Sequence, residues 1–333
     1  MRILILGGTG VISRCIVHEL LLKNHEIFIF HRGNTKLNFQ GEVREIVGDR
    51  KDSIKFKDMM KNFKFDVVID MICFTKEDAQ LTIDTFKDQV EQIIITSSVA
   101  AYKRPLRTVP AVEEQEELTD SPLFGYGFLK AEIERYLNDL VENRRIPITI
   151  IRPSLTFGIG AINLGVLRQN HGIVDRIRKG KPLVMFGDGT TPFTFTFAAD
   201  LAKAYAGAVG NKRTYAKSYH VANEERHIWD DLYLEFGKIL GIEPKIIHIP
   251  TDVLYKFSPE LFGHIYYEKK YAGLYDITKI KQDIEGLDLN ISLYDGVKLM
   301  IDQYEKEAKE IDADKDKLED DLIEIYNQWT LLI

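Results

Sequence analysis

The chain has 333 residues, 45% of them hydrophobic, and a formal net charge of −7, which suits one large domain or a domain with a smaller lobe. The acidic balance and the lack of a long basic block argue against nonspecific nucleic-acid binding. No stretch is apolar for long enough to span a membrane, and the opening run, which breaks at glycine, is not a signal peptide.

In chain order, "RILIL" reads as a buried strand and "VISRCIVHELLLKN" as an amphipathic helix with apolar spacings of three and four. "EIFIF" and "VREIV" are strands, "SIKFKDMMKNF" a helix and "FDVVIDMI" a strand. "TKEDAQLTIDTFKD" is a helix with Thr75 as its N-cap. "VEQIIITSS" is a strand, "YGFLKAEIERYLNDLVENR" a long amphipathic helix and "PITIIRPS" a further strand. Continuous Ile/Val strands alternating with helices predict a parallel sheet covered on both faces, and right-handed crossovers make it doubly wound. After Pro153 the pattern loosens into Gly- and Asn-rich loops with helices such as "AADLAKAYAGAV". The expected organisation is a dinucleotide-binding core over 1–152. Residues 153–333 are mainly a smaller C-terminal substrate lobe, with segments returning to the core sheet.

Cys15 and Cys73 have no metal-type spacing and lie in apolar segments. Both are expected as buried thiols, in keeping with a reducing cytoplasm. Near the end, "DADKDKLEDDLIE" has the look of a calcium loop. Lys317 stands where that loop needs glycine, however, and Ile323 where it needs a bidentate glutamate. A solvated helix face is expected instead.

The first loop carries the chemistry. Gly7, Gly10 and Ser13 fit a glycine-rich pattern with serine at the last position, between a strand and a helix. Gly7 permits a tight turn, and Gly10 lets a pyrophosphate approach the positive helix end. At the end of the second strand, where NAD enzymes usually carry Asp or Glu, stand His31 and Arg32. Arg32, helped by Arg14, suits a 2′-phosphate. NADP is therefore expected ahead of NAD, the alternative. Asp49, in "VGDRKD", is placed for the adenine amino group. The residues expected around the dinucleotide from this end of the chain are Gly7, Thr9, Gly10, Val11, Ile12, Arg32, Asp49 and Arg50.

"YGFLK" puts Tyr126 and Lys130 on one helix face. A free tyrosine, with a pKa near ~10, is a poor base at neutral pH. A lysine ammonium one turn away favours the phenolate, so that Tyr126 exchanges a proton with a substrate oxygen. Ser98, at the end of the preceding strand, is positioned for the same oxygen. A chance pair at this spacing is common in helices. Its position after "IIITSS", at the sheet edge that holds the glycine loop, sets this one apart.

"GGTGVIS", "VGDRKD", "IIITSSVAAY", "YGFLK", "IIRPS", "FGDG" and "FAADLAKA" follow one another as in extended short-chain dehydrogenases/reductases, the NAD-dependent epimerase/dehydratase family. Over roughly residues 1 to 240 the chain resembles that family, and its opening resembles a branch that includes chloroplast stem-loop-binding proteins. The resemblance implies a Rossmann fold, with Ser98, Tyr126 and Lys130 catalytic. It also implies that Lys130 holds the nicotinamide ribose, that Arg152 and Pro153 lie beside the nicotinamide, and that a homodimer packs through long helices, "YGFLKAEIERYLNDLV" being one.

Three departures bear on the substrate. Phe193 occupies the place of a diphosphate-binding arginine in "GDGTTPF", His220 gives "YHV" for "YNV", and "DMICF" replaces Asn-Ala-Gly. Phe193, Phe195 and Phe197 alternate, as one packed strand face would, with substrate stacking as the other reading. The function expected is an NAD(P)-dependent oxidoreductase acting on a small molecule, with sugar derivatives among the candidates. The alternatives are a nucleotide-sugar epimerase or dehydratase, and a non-catalytic dinucleotide-sensing or RNA-binding protein on the same fold.

Overall fold

The computed structural model describes residues 1–35, 39–144, 147–161, 164–169, 171–307 and 310–330. Its first half runs β1 (Arg2–Leu6), α1 (Val11–Leu22), β2 (Glu26–His31), β3 (Val43–Val47), α2 (Ser53–Met60), β4 (Val67–Asp70), α3 (Lys76–Phe86), β5 (Gln92–Thr96), α4 (Gly125–Arg144) and β6 (Ile148–Pro153). The second half runs β7 (Leu155–Phe157), α5 (His171–Arg178), β8 (Leu183–Phe186), β9 (Pro192–Phe193), β10 (Phe195–Phe197), α6 (Ala198–Ala208), β11 (Lys217–Val221), β12 (His227–Ile228), α7 (Trp229–Leu240) and β13 (Ile246–Ile249). The helices α8 (Thr251–Phe257), α9 (Pro259–His264), α10 (Thr278–Asp283), α11 (Leu293–Glu307) and α12 (Ala313–Thr330) complete it.

Seven strands form one sheet in the order β11-β6-β5-β4-β1-β2-β3, every neighbouring pair parallel. Strand alternation explains the two covered faces. Ile3 and Ile5 of β1 pack into the layer of α1 and α6, with Ile16, Val17, Leu20 and Leu201. Leu4 and Leu6 pack into the layer of α2, α3 and α4, with Phe56, Ile83, Phe86, Ile133 and Leu137. All four β1 side chains are fully buried, so the strand shows no polar alternation, as a doubly covered strand should not. Thr75 caps α3 by accepting from Asp78 N in a capping box. The chain winds from β1 to β3 and then restarts at β4 on the other side of β1. The switch point, where ligands of such sheets bind, lies outside the carboxyl ends of β1 and β4.

The second core gathers around Phe193, Phe195, Phe197, Trp229 and Phe236, with Val297, Met300, Leu322 and Ile323. The three alternating phenylalanines are buried there, with Phe193 4.6 Å from the Trp229 ring; packing, rather than substrate stacking, accounts for them. Two segments of the later chain belong to the main sheet layer: α6 packs on α1, and β11 pairs with β6.

Two expectations need correction. The acidic helix α12 is not simply a solvated face. Its Asp316, Glu319 and Asp320 close on the fully buried Arg176 at 2.6, 3.1 and 2.8 Å, and Leu322 and Ile323 join the core. A buried guanidinium on α5 demands those carboxylates. Cys73 is buried, but Cys15 is only partly covered, on the flank of α1. Among the described residues no His/Cys/Asp/Glu group is arranged to hold a metal ion, and no helix is long and apolar enough to cross a membrane.

Candidate functional site

The glycine loop joins β1 to α1 at the switch point. Gly7 has φ +84°, and a Cβ there would stand 2.3 Å from Ile72 Cγ2; the left-handed backbone and the close approach of the β4 end both require glycine. At Gly10 an added Cβ would meet only Ser13 Oγ, at 3.2 Å. Ser13 does more than save space. Its hydroxyl donates to Gly7 O (2.8 Å) and accepts from Gly10 N (3.0 Å), closing the loop on the first turn of α1. The helix N-terminus then faces the crevice with the unpaired N–H groups that favour anions.

A cavity of 830 Å³ opens from this loop. Gly7, Thr9, Gly10, Val11 and Ile12 line one side, and Arg32, Asp49 and Arg50 line the ends of β2 and β3. Arg14 and Lys51 also line it. Arg14 and Arg32 are exposed, with no carboxylate in ion-pair distance among the described residues. His31, where an acidic residue is usual, is buried. Its Nε2 meets Glu45 at 2.8 Å and its Nδ1 accepts from Gly33 N at 3.2 Å.

Arg50 has structural partners as well as a place in the cavity. It forms part of the cavity wall, but its guanidinium turns to Asp70 (2.8 Å) and Thr82 (2.6 Å) and to the carbonyl of Asp78. Asp70, fully buried at the end of β4, requires this countercharge. Arg50 therefore clamps β4 to α3.

Ser98, Tyr126, Lys130 and Pro153 are not part of the wall of this cavity. Pro153 ends β6, in register with Val221 of β11. Ser98 caps a 3₁₀ turn (Val99–Ala101), its hydroxyl accepting from Ala100 N at 3.1 Å. Tyr126 begins α4. It comes up to this turn because Gly127 lies against it: a Cβ on Gly127 would stand 2.4 Å from Ala100 O. The sequence carries this signal as the glycine inside "YGFLK".

Lys130 is 2% exposed and is held between the ends of two strands. Its Nζ donates to Cys73 O (2.7 Å), just past β4, and to Thr96 O (2.8 Å), the last residue of β5. Two of its three N–H bonds are thus engaged and one remains. The Nζ is 5.9 Å from the Tyr126 ring centroid. Desolvation pulls the Lys130 pKa down, while Cys73 and Asp70 hold it up. The expected phenolate-favouring shift is reversed. Although Tyr126 is 47% exposed as a residue, desolvation at its hydroxyl pushes the pKa up. The hydrogen bond with Ser98 opposes that rise and Glu268 adds to it. Tyr126 accordingly rests as a protonated phenol, the form that donates a proton.

Behind the trio lies a buried polar network. Arg152 on β6 makes a two-nitrogen ion pair with Glu134, one turn beyond Lys130 on α4, with Nε at 2.9 and 3.0 Å from the two carboxylate oxygens. Ser97 Oγ donates to the same carboxylate. Arg152 Nη1 donates to Tyr102 Oη (2.7 Å), which in turn lies 2.6 Å from His220 Nε2. Burial, then the charge of Arg152, lowers the His220 pKa to about 3. The imidazole is neutral, with Tyr102 donating to Nε2 and Nδ1 facing Asp276 O at 3.2 Å. The resemblance marked Arg152, but Glu134 and Asp70 went unnoticed.

A family model described as "NAD dependent epimerase/dehydratase family" matches residues 3–222. Among curated relatives, 2'-dehydrokanamycin reductase of Streptomyces kanamyceticus is 24% identical over 252 residues, covering 76% of this chain and 70% of the relative. The chloroplast stem-loop binding protein of 41 kDa b of Arabidopsis thaliana is 24% identical over 261 residues, covering 74% of this chain and 65% of that protein, less than two thirds of its length. In fold, the chain is similar to the UDP-glucose 4-epimerase of Thermotoga maritima (TM-score 0.75, 17% identity, 93% of this chain and 100% of that one). It is similar also to the dTDP-glucose 4,6-dehydratase of Bacillus anthracis solved with NAD (TM-score 0.74, 15% identity, 92% and 97%).

Proposed function

Because the chain belongs to the NAD dependent epimerase/dehydratase family, we propose that it is an NADP(H)-dependent oxidoreductase acting at a carbonyl or hydroxyl carbon of a small substrate. Tyr126 is its acid/base. Residues 1–152 serve mainly the cofactor and 153–333 mainly the substrate. The glycine cradle, the 830 Å³ cavity and the unpaired Arg14 and Arg32 fit a dinucleotide with a 2′-phosphate. The nicotinamide supplies or accepts a hydride when bound. The chain's own groups do the rest. The Tyr126 phenol gives its proton to a substrate carbonyl oxygen in reduction, and its phenolate takes one from a substrate hydroxyl in oxidation. Ser98 Oγ holds that oxygen. Lys130 offers its third N–H to the nicotinamide ribose, and its charge stabilises the phenolate left after transfer.

The observation that carries this reading is Lys130 Nζ fixed between the carbonyls of Cys73 and Thr96 at the carboxyl edge of the sheet. It lies one turn from Tyr126 and on the same edge as the glycine loop. A nucleotide-sugar epimerase or dehydratase would use the same trio. The burial of Phe193, where a diphosphate-binding arginine is expected, weighs against it. The free thiols suit a reducing, cytoplasmic setting, and α4 is the element through which a homodimer would pack.

The test is Tyr126→Phe beside Lys130→Met, in a reductase assay with NADPH. Tyr126→Phe keeps NADPH affinity and lowers the rate by about 10²–10⁴-fold, the usual worth of one general acid–base group. Lys130→Met lowers both rate and affinity. A Tyr126→Phe rate within about twofold of the parent, in folded protein that binds NADPH, removes Tyr126 from the mechanism and favours a non-catalytic dinucleotide sensor.

A further inference from the structure

A second cavity, of 280 Å³, opens beside the segments that carry Ser98 and Tyr126. Ala100 and Phe124 form part of its wall. They lie two residues from Ser98 and Tyr126 respectively, and the Phe124 and Tyr126 rings are 6.2 Å apart. The opposite wall is Tyr266, Tyr267 and Glu268, presented by a π-helical turn, Ile265–Lys269. Such turns recur at functional sites because the extra residue re-aims side chains. Tyr266 is braced by stacking on Tyr255 at 4.2 Å, and the Tyr255 and Tyr267 hydroxyls bond at 2.8 Å. Glu268 acts electrostatically on Tyr126, which ties this wall to the acid/base.

Size limits the occupant. A volume of 280 Å³ is on the scale of one sugar-sized ring, below that of most drug-sized ligand pockets. Stacked aromatic rings with hydroxyls and carboxyls around them suit a ring with apolar faces and a polar rim.

Charge limits it further. Arg104 also lines this cavity, and its side chain is only 6% exposed. Nη2 donates to two neutral acceptors, Val99 O at 3.1 Å and Tyr275 Oη at 2.9 Å. The nearest carboxylate, Glu268, stands 3.8 Å away, outside hydrogen-bond reach, and burial pushes its pKa up. Nε and Nη1 of Arg104 have no acceptor at all. A guanidinium so enclosed, with one loose ion pair to Glu268 and two nitrogens that lack an acceptor among the described residues, favours an anion beside it. Lys103 and Lys270 also line it, against Asp120 and Glu268, so the lining carries three cationic and two acidic side chains.

We propose that this cavity binds a single-ring, polyhydroxylated substrate that carries a carboxylate, with Arg104 as the residue that selects for the charge. The proposal rests on Tyr126 being the acid/base, since its position beside Tyr126 is what makes the cavity a substrate site.

The experiment titrates NADP⁺-saturated protein with glucuronate, glucose, glucosamine and UDP-glucuronate, by ligand-observed saturation-transfer NMR. Glucuronate binds at least about tenfold more tightly than glucose, the worth of one charge-assisted contact. Added salt weakens glucuronate and leaves glucose alone. UDP-glucuronate gains no more than about threefold over glucuronate, since the cavity is on the scale of one ring. Arg104→Gln removes the preference for glucuronate without changing glucose or NADPH affinity, and Arg104→Lys keeps part of it. If Arg104→Gln fails to fold, Arg104→Lys and the salt dependence of the parent decide. Equal binding of glucose and glucuronate overturns the proposal. So do a preference for glucosamine, which would make Glu268 the reader, a large gain from the UDP group, or no binding of any sugar. Failure of NADP⁺ itself to bind would overturn the cofactor reading instead. The same titrations on cofactor-free protein would still decide this one.

Discussion

Glu134→Gln tests the network behind Tyr126 most sharply, because it removes one charge and almost no volume. In the parent, the Glu134 carboxylate receives Arg152 through two nitrogens and Ser97 through its hydroxyl. The two side chains are 0% and 6% exposed, so solvent screens the pair very little. With the amide in place, Arg152 keeps its charge and only one strong partner, Tyr102. Breaking one half of a buried pair typically costs about 3–5 kcal/mol, set against a whole-protein stability of about 5–15 kcal/mol. At roughly 2–4 °C per kcal/mol for domains somewhat smaller than this chain, the melting temperature falls by an amount of order 10 °C. Urea unfolding followed by circular dichroism measures the loss, which appears as a lower midpoint at unchanged slope. The double variant Glu134→Leu/Arg152→Met removes both charges and regains most of the loss, because hydrophobic replacements spare the desolvation of the pair. A Glu134→Gln protein within about 1 kcal/mol of the parent would mean that Arg152 is neutralised by something else, and would refute the argument.

Other outcomes follow from the same geometry. His220 is held at about 3 against an ordinary ~6.5, so between those values the unfolded chain binds a proton that the folded chain does not. Stability is therefore lost as pH falls from 6.5 to about 3, at about 1.4 kcal/mol per unit for this group, and does not change on its account above or below that window. His220→Gln flattens that limb by one proton in urea titrations across pH, and an unchanged slope would show that the imidazole is already protonated in the fold. Fluorescence titration gives the parent a tighter NADPH than NADH, by roughly ten- to hundredfold for one charge-assisted contact. Arg32→Asp reverses the order, and equal affinities in the parent would end the assignment of Arg32 to a 2′-phosphate. Calorimetry finds UDP-, dTDP- and GDP-sugars binding in the millimolar range or more weakly, about −4 kcal/mol at best; micromolar binding would restore a nucleotide-sugar substrate despite Phe193.

What the sequence discloses here is what depends on neighbours along the chain. The strand–glycine–helix sequence of the first loop, the Thr75 cap and the Tyr126–Lys130 spacing are local, and they stand as expected in the structure. The Phe193–Phe195–Phe197 alternation is local too, and packing was the reading it favoured. The tie of Arg50 to the buried Asp70 across the sheet was not legible, because no spacing along the chain announces that partner. The sign of the shift at Tyr126 depends on desolvation, a property of the assembled surroundings. The cavity beside Phe124 was hidden for a similar reason. It joins the segment after Ser98 to a π-helical turn far along the chain, and nothing in either stretch alone marks a site.

The grip of α12 on Arg176 has a consequence in time. Arg176 meets Asp316 across 140 residues of chain, and Glu319 and Asp320 come later still. At about 5–20 residues per second of synthesis, roughly 7–30 s pass between the appearance of the guanidinium and that of its first carboxylate. The main sheet, whose last strand is complete at Val221, is completed within that interval. The second lobe thus remains the unfinished part of a nascent chain whose main sheet is already there, and until α12 is made the segment around α5 must stay hydrated or be sheltered by a chaperone.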